Sequence, residues 1–135
     1  MPYLDSNVFI YPVIYQPESE PKAKRAKEIL YRVETGKIDA YTSTLTWAEV
    51  VWVISKTMGR NEGTSQGKKL LGFPNLKFIA ADEPVISHAQ RLIEKRKINP
   101  RDAINVASSL EKRITEIISD DSELDAIKEI QRIPL

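Results

Sequence analysis

The sequence contains no cysteine and only one histidine, His88. A chain without cysteine can form no disulfide, no thiolate metal site and no cysteine nucleophile. A single histidine also excludes a histidine-rich zinc site. If this protein binds a metal ion, we therefore expect oxygen ligands, and attention turns to its carboxylates.

Long apolar runs and a strong net charge are also missing. No segment approaches the ~18 consecutive apolar residues that read as a membrane-spanning helix, and Asp5 interrupts the only apolar run near the N-terminus, so we expect no signal peptide and a cytoplasmic location. The formal net charge is +1. Any binding of nucleic acid must therefore come from a local basic patch.

The length and composition predict a single domain over residues 1–135. A chain of 135 residues with 41% hydrophobic residues can bury a substantial core, and 29% charged residues suit a soluble protein. We find no repeat, no low-complexity segment and no long linker.

Predicted strands alternate with predicted helices along the chain. Strands are predicted at 2–4, 38–42, 76–81, 116–119 and 131–133, and helices at 19–36, 44–58, 83–97 and 100–114, with a short helix ending at 130. The stretch from Pro12 to Pro21 is predicted to be a loop. Residues 59–72 carry glycines at four-residue steps, which would suit a close-packed helix face, but the polar sequence favours a flexible segment, either a helical turn of modest stability or a mobile flap. The alternation predicts a three-layer α/β/α fold with a parallel sheet.

Four acidic residues are placed so that this fold would bring them together. Asp5 follows the first strand and Asp121 follows the fourth, and the carboxyl ends of parallel strands share one edge of the sheet. Asp102 lies in the first turn of a helix whose N-terminus should face that edge. Glu49 stands alone among uncharged residues on a helix that is apolar all round and therefore predicted to be buried.

Such a cluster of carboxylates points to a metal site. Converging acids repel each other, and burial raises the pKa of Glu49, whereas a divalent cation would relieve both effects. Ligation by oxygen alone selects Mg²⁺ or Mn²⁺. The predicted chemistry is hydrolysis of a phosphodiester by metal-activated water. Arg101 and Lys97 are the candidate substrate-binding residues, and the basic group at 22–27 is a weaker candidate.

Each acid also has an ordinary structural explanation. Asp5 and Asp121 would cap the helices that follow them, and Asp102 would complement a helix dipole. Glu49 would form an ion pair with a distant lysine or arginine. Capping is the better explanation of Asp102 and Asp121 taken singly, but four coincidences at one sheet edge are less probable than one site.

Four segments, in their order and at their distances, resemble the PIN-domain family, which includes the Vap-type toxin ribonucleases and archaeal relatives. These segments are LDSNVFI, TLTWAEVV, NPRDAINVASSLE and IISDDSELDAI. The resemblance covers nearly the whole chain. It implies a Rossmann-like sheet of five essentially parallel strands and Mg²⁺- or Mn²⁺-dependent cleavage of single-stranded RNA. It further implies a homodimer, and an antitoxin as partner if the protein is the toxin of a toxin–antitoxin pair.

The resemblance also assigns roles to individual residues. The catalytic and metal-binding acids are those four residues, Asp5, Glu49, Asp102 and Asp121. Ser6 and Asn7 are expected to support the first acid.

The last motif adds a further acid and one ambiguity. Asp125 corresponds to an additional metal-binding acid, and Leu124 stands where the family usually has an aromatic residue. Asp120 and Asp121 are adjacent, so the register is ambiguous. The spacing to Asp125 favours Asp121, and Asp120 is then expected to point to solvent.

Two other functions remain open at this stage. One is a catalytically silent RNA-binding relative of the same family. The other is a small-molecule phosphatase with an aspartyl nucleophile, but that class wants a second aspartate two residues after Asp5, where this sequence has Asn7.

Overall fold

The computed structural model describes residues 1–135 and contains a single five-stranded sheet. All its neighbouring strands are parallel, in the order β3-β2-β1-β4-β5. The strands are β1 (Tyr3–Leu4), β2 (Ala40–Ser43), β3 (Leu76–Ile79), β4 (Glu116–Ile118) and β5 (Gln131–Ile133). The predicted five-stranded parallel sheet is therefore confirmed.

Six α-helices and one 3₁₀ turn cover the two faces of this sheet. They are α1 (Ser6–Ile14), α2 (Pro21–Glu34), α3 (Thr44–Met58), α4 (Arg60–Leu71), α5 (Glu83–Lys95), α6 (Pro100–Glu111) and the 3₁₀ turn Ser122–Ala126. The predicted helix to residue 130 is thus a 3₁₀ turn that ends earlier. No helix has the length and apolar character that crossing a membrane requires.

Two separate cores lie on either side of the sheet, which confirms the three-layer architecture. Successive residues of a strand point to opposite faces. Accordingly Tyr3 packs with α5 and α6, whereas Leu4 packs with α1 to α4, and both side chains are completely buried.

The strand order reverses between β1 and β4. The chain runs outward from β1 through β2 to β3, and then returns to lay β4 on the other side of β1. The backbone N–H of Asp5 donates to the carbonyl of Ile118 over 3.0 Å, so the ends of the two central strands are held together. A reversal of this kind opens a crevice beyond the carboxyl ends of the strands.

Helix α1 is absent from the predicted helices, although Asp5 was considered as the cap of a following helix, because Pro12 led us to predict a loop from residue 12. The helix is capped by Asp5, whose side chain accepts a bond from the Ser6 N–H, and it continues from Ser6 through Pro12 to Ile14. Proline inside a helix removes one hydrogen bond and strains the preceding turn. Burial of the apolar side chains on the first turns, such as Val8, outweighs that cost.

Helix α3 is not buried all round, contrary to the prediction. Only Thr46, Val50 and Ile54 are fully buried. Trp52 is 62% exposed and Trp47 is 39% exposed. Helix α3 is therefore a surface helix whose solvent-facing side is apolar.

Of the two alternatives predicted for residues 59–72, the helical one is correct, but α4 is a regular helix packed closely on α3 and not a loose turn. A Cβ atom on Gly63 would lie 1.9 Å from the Ser55 hydroxyl oxygen, and one on Gly67 would lie 2.7 Å from a methyl carbon of Val51. Gly63 and Gly67, four residues apart, thus lie on the face of α4 that contacts α3. Packing against α3 outweighs the low helix propensity of glycine.

We expect Gly63→Ala to destabilise the protein by about 1–2 kcal/mol, because the added methyl group overpacks the α3–α4 contact. The nearest Ser55 backbone nitrogen would lie only 3.0 Å from it. Gly72→Ala is the matched control, since its Cβ would meet nothing closer than 3.9 Å. The urea midpoints of both variants measure the effect. A Gly63→Ala midpoint equal to the wild type would contradict the close packing.

Candidate functional site

Asp5 stands at the end of β1 and is held by three neutral groups. Its side chain is 6% exposed. The Ser119 hydroxyl donates to Oδ2 over 2.6 Å, the Ser6 backbone N–H donates to Oδ1 over 2.7 Å, and the Asn105 amide donates to Oδ1 over 3.5 Å. Burial raises the pKa of Asp5, and the bonds from Ser119 and Ser6 only partly oppose it. These donors orient the carboxylate without neutralising it.

Asp102 is positioned by the cap of its own helix. Asn99 precedes α6, accepts from the Asp102 backbone N–H over 2.9 Å and donates its amide to the Asp102 carboxylate over 2.7 Å. Burial, and then the nearby Asp121 carboxylate, raise the pKa of Asp102 to about 7. Asp102, Asp121 and Glu123 each place a carboxylate oxygen within 4.8 Å of the others. This short separation adds charge repulsion to the effect of burial on the pKa of Asp102.

Glu49 reaches the same place from α3. Its Oε2 accepts from the Ser6 hydroxyl over 3.4 Å and lies 3.9 Å from a guanidinium nitrogen of Arg101. Its Oε1 is buried and has no hydrogen-bond partner. Burial and then the Asp5 charge raise the pKa of Glu49. A buried carboxylate oxygen without a partner is costly in a folded protein, and a cation bound beside it would remove that cost.

Asp121 follows β4 and shares its support with Asp5. Its backbone N–H donates to the Ser119 hydroxyl oxygen over 3.0 Å, and its own carboxylate accepts from the Glu123 N–H over 3.0 Å. Ser119 therefore ties the two acids at the ends of β1 and β4 to each other.

Contrary to the prediction, the Asp120 side chain does not point to solvent. It accepts from the Tyr11 hydroxyl over 2.6 Å and lies 2.8 Å from the Lys22 ammonium. Burial alone would raise the pKa of Asp120, but the bonds from Lys22 and Tyr11 outweigh it and lower the pKa. Of the two adjacent acids, only Asp121 lines the cavity that the other carboxylates share.

A cavity of about 740 Å³ collects most of the predicted site residues. Its lining includes Asp5, Ser6, Asn7, Glu49, Arg101, Asp102 and Asp121. Two predicted residues lie outside this lining. Lys97 is exposed at the surface. Asp125 is held by Arg132 through bonds of 2.7 and 3.0 Å, and the bond from Arg132 lowers the pKa of Asp125.

Sequence reasoning missed three residues that shape the site. Asn105 lies one helical turn after Asp102, a spacing that could have identified it. The buried Tyr3 hydroxyl donates to the Asn105 side-chain oxygen over 2.7 Å, which turns the amide nitrogen toward Asp5. Ser119 and Glu123 gave no signal, because their roles depend on how the loop after β4 folds.

The donor set fits a hard divalent cation. No lysine or arginine forms an ion pair with Asp5, Asp102 or Asp121, and Arg101 approaches Glu49 only at 3.9 Å. Carboxylate oxygens without nitrogen or sulfur ligands suit Mg²⁺ or Mn²⁺. The Oε1 atom of Glu49 has no hydrogen-bond partner and could therefore serve as one such ligand without breaking an existing bond.

The raised pKa of Asp102 predicts that the metal-free protein loses stability as pH rises from about 4 to about 7. The folded state binds the proton more tightly than the unfolded chain, whose aspartate pKa is ~3.9, so the protonated carboxyl stabilises the fold only at lower pH. Asp5 and Glu49 act in the same direction. Asp120 and Asp125 have lowered pKa values and act in the opposite direction, below about pH 4.

Urea denaturation in chelator at about pH 5 and pH 7.5 measures this linkage. We expect the wild type to be more stable at pH 5, by on the order of 1–2 kcal/mol after solvent screening. Asp102→Asn should lose much of the difference, and Mn²⁺ should remove it in the wild type by replacing the proton. A stability that rises between the two pH values would contradict the arrangement.

Comparison with known proteins gives an independent result. The sequence model of the family described as "PIN domain" matches residues 3–130. None of the curated proteins matches the sequence.

Several solved structures are similar in fold. The Mycobacterium tuberculosis toxin VapC20, described as cleaving the sarcin–ricin loop, is 14% identical, with a TM-score of 0.73 over 95% of each chain. A chain of VapBC2 from Rickettsia felis, bound to promoter DNA, is 14% identical, with a TM-score of 0.72 over 99% of this chain and 98% of that one. VapBC-1 from nontypeable Haemophilus influenzae is 19% identical, with a TM-score of 0.67 over 99% and 98%.

At these identities the likeness to solved structures concerns the fold, whereas the family match concerns the sequence. The match spans nearly the whole chain and includes the four segments that carry the acids. The chain therefore belongs to the PIN-domain family.

Proposed function

We propose that this protein is a Mg²⁺- or Mn²⁺-dependent endoribonuclease that hydrolyses single-stranded RNA. The observation that carries the proposal is the unpartnered, buried Oε1 of Glu49 in a cavity lined by three further carboxylates. Membership of the PIN-domain family supports a nuclease. The VapC20 structure has a similar fold and is described as that of a toxin that cleaves the sarcin–ricin loop, which supports RNA as the substrate class.

The residues that would hold the ion are the four acids in the cavity, Asp5, Glu49, Asp102 and Asp121. When bound, the ion supplies Lewis-acid chemistry, lowering the pKa of water and offsetting charge on the scissile phosphate. Hydrolysis then adds one water molecule across one phosphorus–oxygen bond of the RNA backbone.

Other residues of the chain keep those acids in place. Ser119 and Asn105 fix the rotation of Asp5, and Asn99 fixes Asp102. Because these partners are neutral, they carry no positive charge that would compete with the ion for the carboxylates. Outer partners of this kind typically change metal affinity or activity 10–100-fold when they are removed.

Arg101 is the proposed contact for the RNA backbone. Its side chain is 69% exposed at the mouth of the cavity, and its contact with Glu49 is long. A guanidinium so placed can bind a phosphate bidentately. Lys97 is exposed four residues earlier and is proposed as a second, weaker backbone contact. The metal-binding role of Asp125 stays a prediction, and in its present position Arg132 competes for that carboxylate.

We also propose that the protein is the toxin of a toxin–antitoxin pair, acting in the cytoplasm as a homodimer. Several of the structures with the same fold are toxin–antitoxin complexes, which supports an antitoxin partner. The exposed Trp52 and Trp47 on α3 provide apolar surface for a second copy.

Cleavage of a fluorogenic single-stranded RNA tests the proposal. We expect cleavage with Mg²⁺ or Mn²⁺, none in chelator, and a loss of at least about 100-fold in Asp5→Asn, because the buried ligand is then neutral. Asp39→Asn is the matched control, since it removes an exposed carboxylate outside the cavity.

Two results would contradict the proposal. Equal rates in the wild type and Asp5→Asn would identify a contaminating ribonuclease. RNA binding without cleavage under any ion would instead favour the catalytically silent module.

A further inference from the structure

The cavity extends well beyond the carboxylates. Ile10 and Ile14 lie one and two helical turns after Ser6 on α1, and Val53 lies one turn after Glu49 on α3. Residues four apart share a helix face. Each helix therefore presents a stripe that begins with a polar residue at the acids and continues as an apolar wall of the same cavity.

Tyr11 adds an aromatic ring of fixed orientation to this wall. Its hydroxyl donates to Asp120 over 2.6 Å, so the polar end of the side chain is occupied. The Tyr15 ring packs against it edge to face, with ring centroids 5.5 Å apart at an interplanar angle of 66°. Tyr11 therefore lines the cavity with a ring whose position is fixed by its hydrogen bond to Asp120 and by the packing of Tyr15.

We propose that the apolar arm formed by Ile10, Tyr11, Ile14 and Val53 is a subsite for one nucleobase of the RNA. The inference rests on the proposed function, because it places that base next to the phosphate bound at the acids. A phosphate gains nothing from an apolar wall, whereas a base has two apolar faces and stacks on aromatic and aliphatic side chains. The volume of about 740 Å³ falls in the range that holds a ligand of nucleotide size.

The apolar arm and the carboxylates belong to one continuous cavity, which favours a nucleobase as the ligand of the arm. The arm and the carboxylates line one space, and Ile10 and Val53 lie one helical turn from Ser6 and Glu49, so a single-stranded chain with its phosphate at the acids would carry the attached base into the arm. The arm has no charged residue of its own, and recognition there should rest on stacking. Such recognition tolerates different bases but requires that a base be present.

An abasic scan tests this subsite. A short single-stranded RNA with one cleavage position is synthesised in versions that lack one base at a time, and kcat/KM is measured with Mn²⁺. The wild type should lose about 5- to 100-fold at one position beside the cleaved bond, the range that base stacking supplies. Positions farther away should change little.

Enzyme variants then locate the effect. In Ile14→Ser and Val53→Ser the penalty for the missing base should shrink severalfold, because the intact RNA has already lost its apolar contact. Ile86→Ser is the matched control, since Ile86 is 44% exposed on α5, outside the cavity. Its penalty should equal that of the wild type. Melting temperatures establish whether each variant is folded. If Ile14→Ser does not fold, Val53→Ser alone provides the test.

Three outcomes separate the subsite from the nuclease. A flat scan with active wild type overturns the subsite and leaves the nuclease intact, and the apolar wall would then suit a protein segment instead. A penalty that persists unchanged in both cavity variants also overturns the subsite, because the base is bound elsewhere. If the wild type cleaves no RNA, the proposed function fails and the subsite fails with it.

Discussion

Mutual repulsion among carboxylates at the ends of the two central strands is the constraint to which the rest of this site responds. Asp5 and Asp121 are brought together because β1 and β4 are adjacent and parallel, and α6 adds Asp102. Without a cation the charged arrangement is unfavourable, and burial, together with this repulsion, raises the pKa of Asp102 to about 7. A sheet that reverses its strand order has a crevice at this point, and here the crevice is lined with carboxyl groups.

The surrounding polar groups orient the acids and leave their charge in place. Ser119, Asn105 and Asn99 donate neutral hydrogen bonds to the carboxylates. Such bonds hold a carboxylate at one rotation, which a bound ion needs from its ligands. An arginine or lysine in the same positions would satisfy the charge internally and remove the affinity for a metal.

The basic side chains in this region form ion pairs with the acids on either side of Asp121 in the sequence, and not with Asp121 itself. Lys22 pairs with Asp120 and Arg132 pairs with Asp125, so the loop after β4 is anchored at both ends. Arg132 also donates to the Ser119 carbonyl over 3.0 Å. The acid between these anchors forms no ion pair and lines the cavity. This division explains how one loop carries several carboxylates of which only some remain available.

The sheet and the four cavity acids could be predicted because they follow from local pattern. Alternating strands and helices indicate a parallel sheet, and acids that follow two strands must then meet at its edge. The helix through Pro12 and the close packing of helix α4 could not be predicted, because packing against distant elements overrides the local preferences of proline and glycine.

The same limit applies to the polar network. The bond from Tyr11 to Asp120 and the bond from Arg132 to Asp125 join side chains whose proximity depends on the finished fold. Asn105 is the exception, since its spacing from Asp102 on one helix was visible in the sequence.

The most direct test of this account is anomalous diffraction from crystals soaked in Mn²⁺. The account predicts a manganese peak within coordination distance of Asp5 and Asp121, with the Oε1 atom of Glu49 among the nearest protein atoms, and with Asp120 still bound to Lys22. A fully soaked crystal without a peak in this cavity, or with its only ordered manganese at Asp120, would contradict the central claim that these carboxylates form a metal centre.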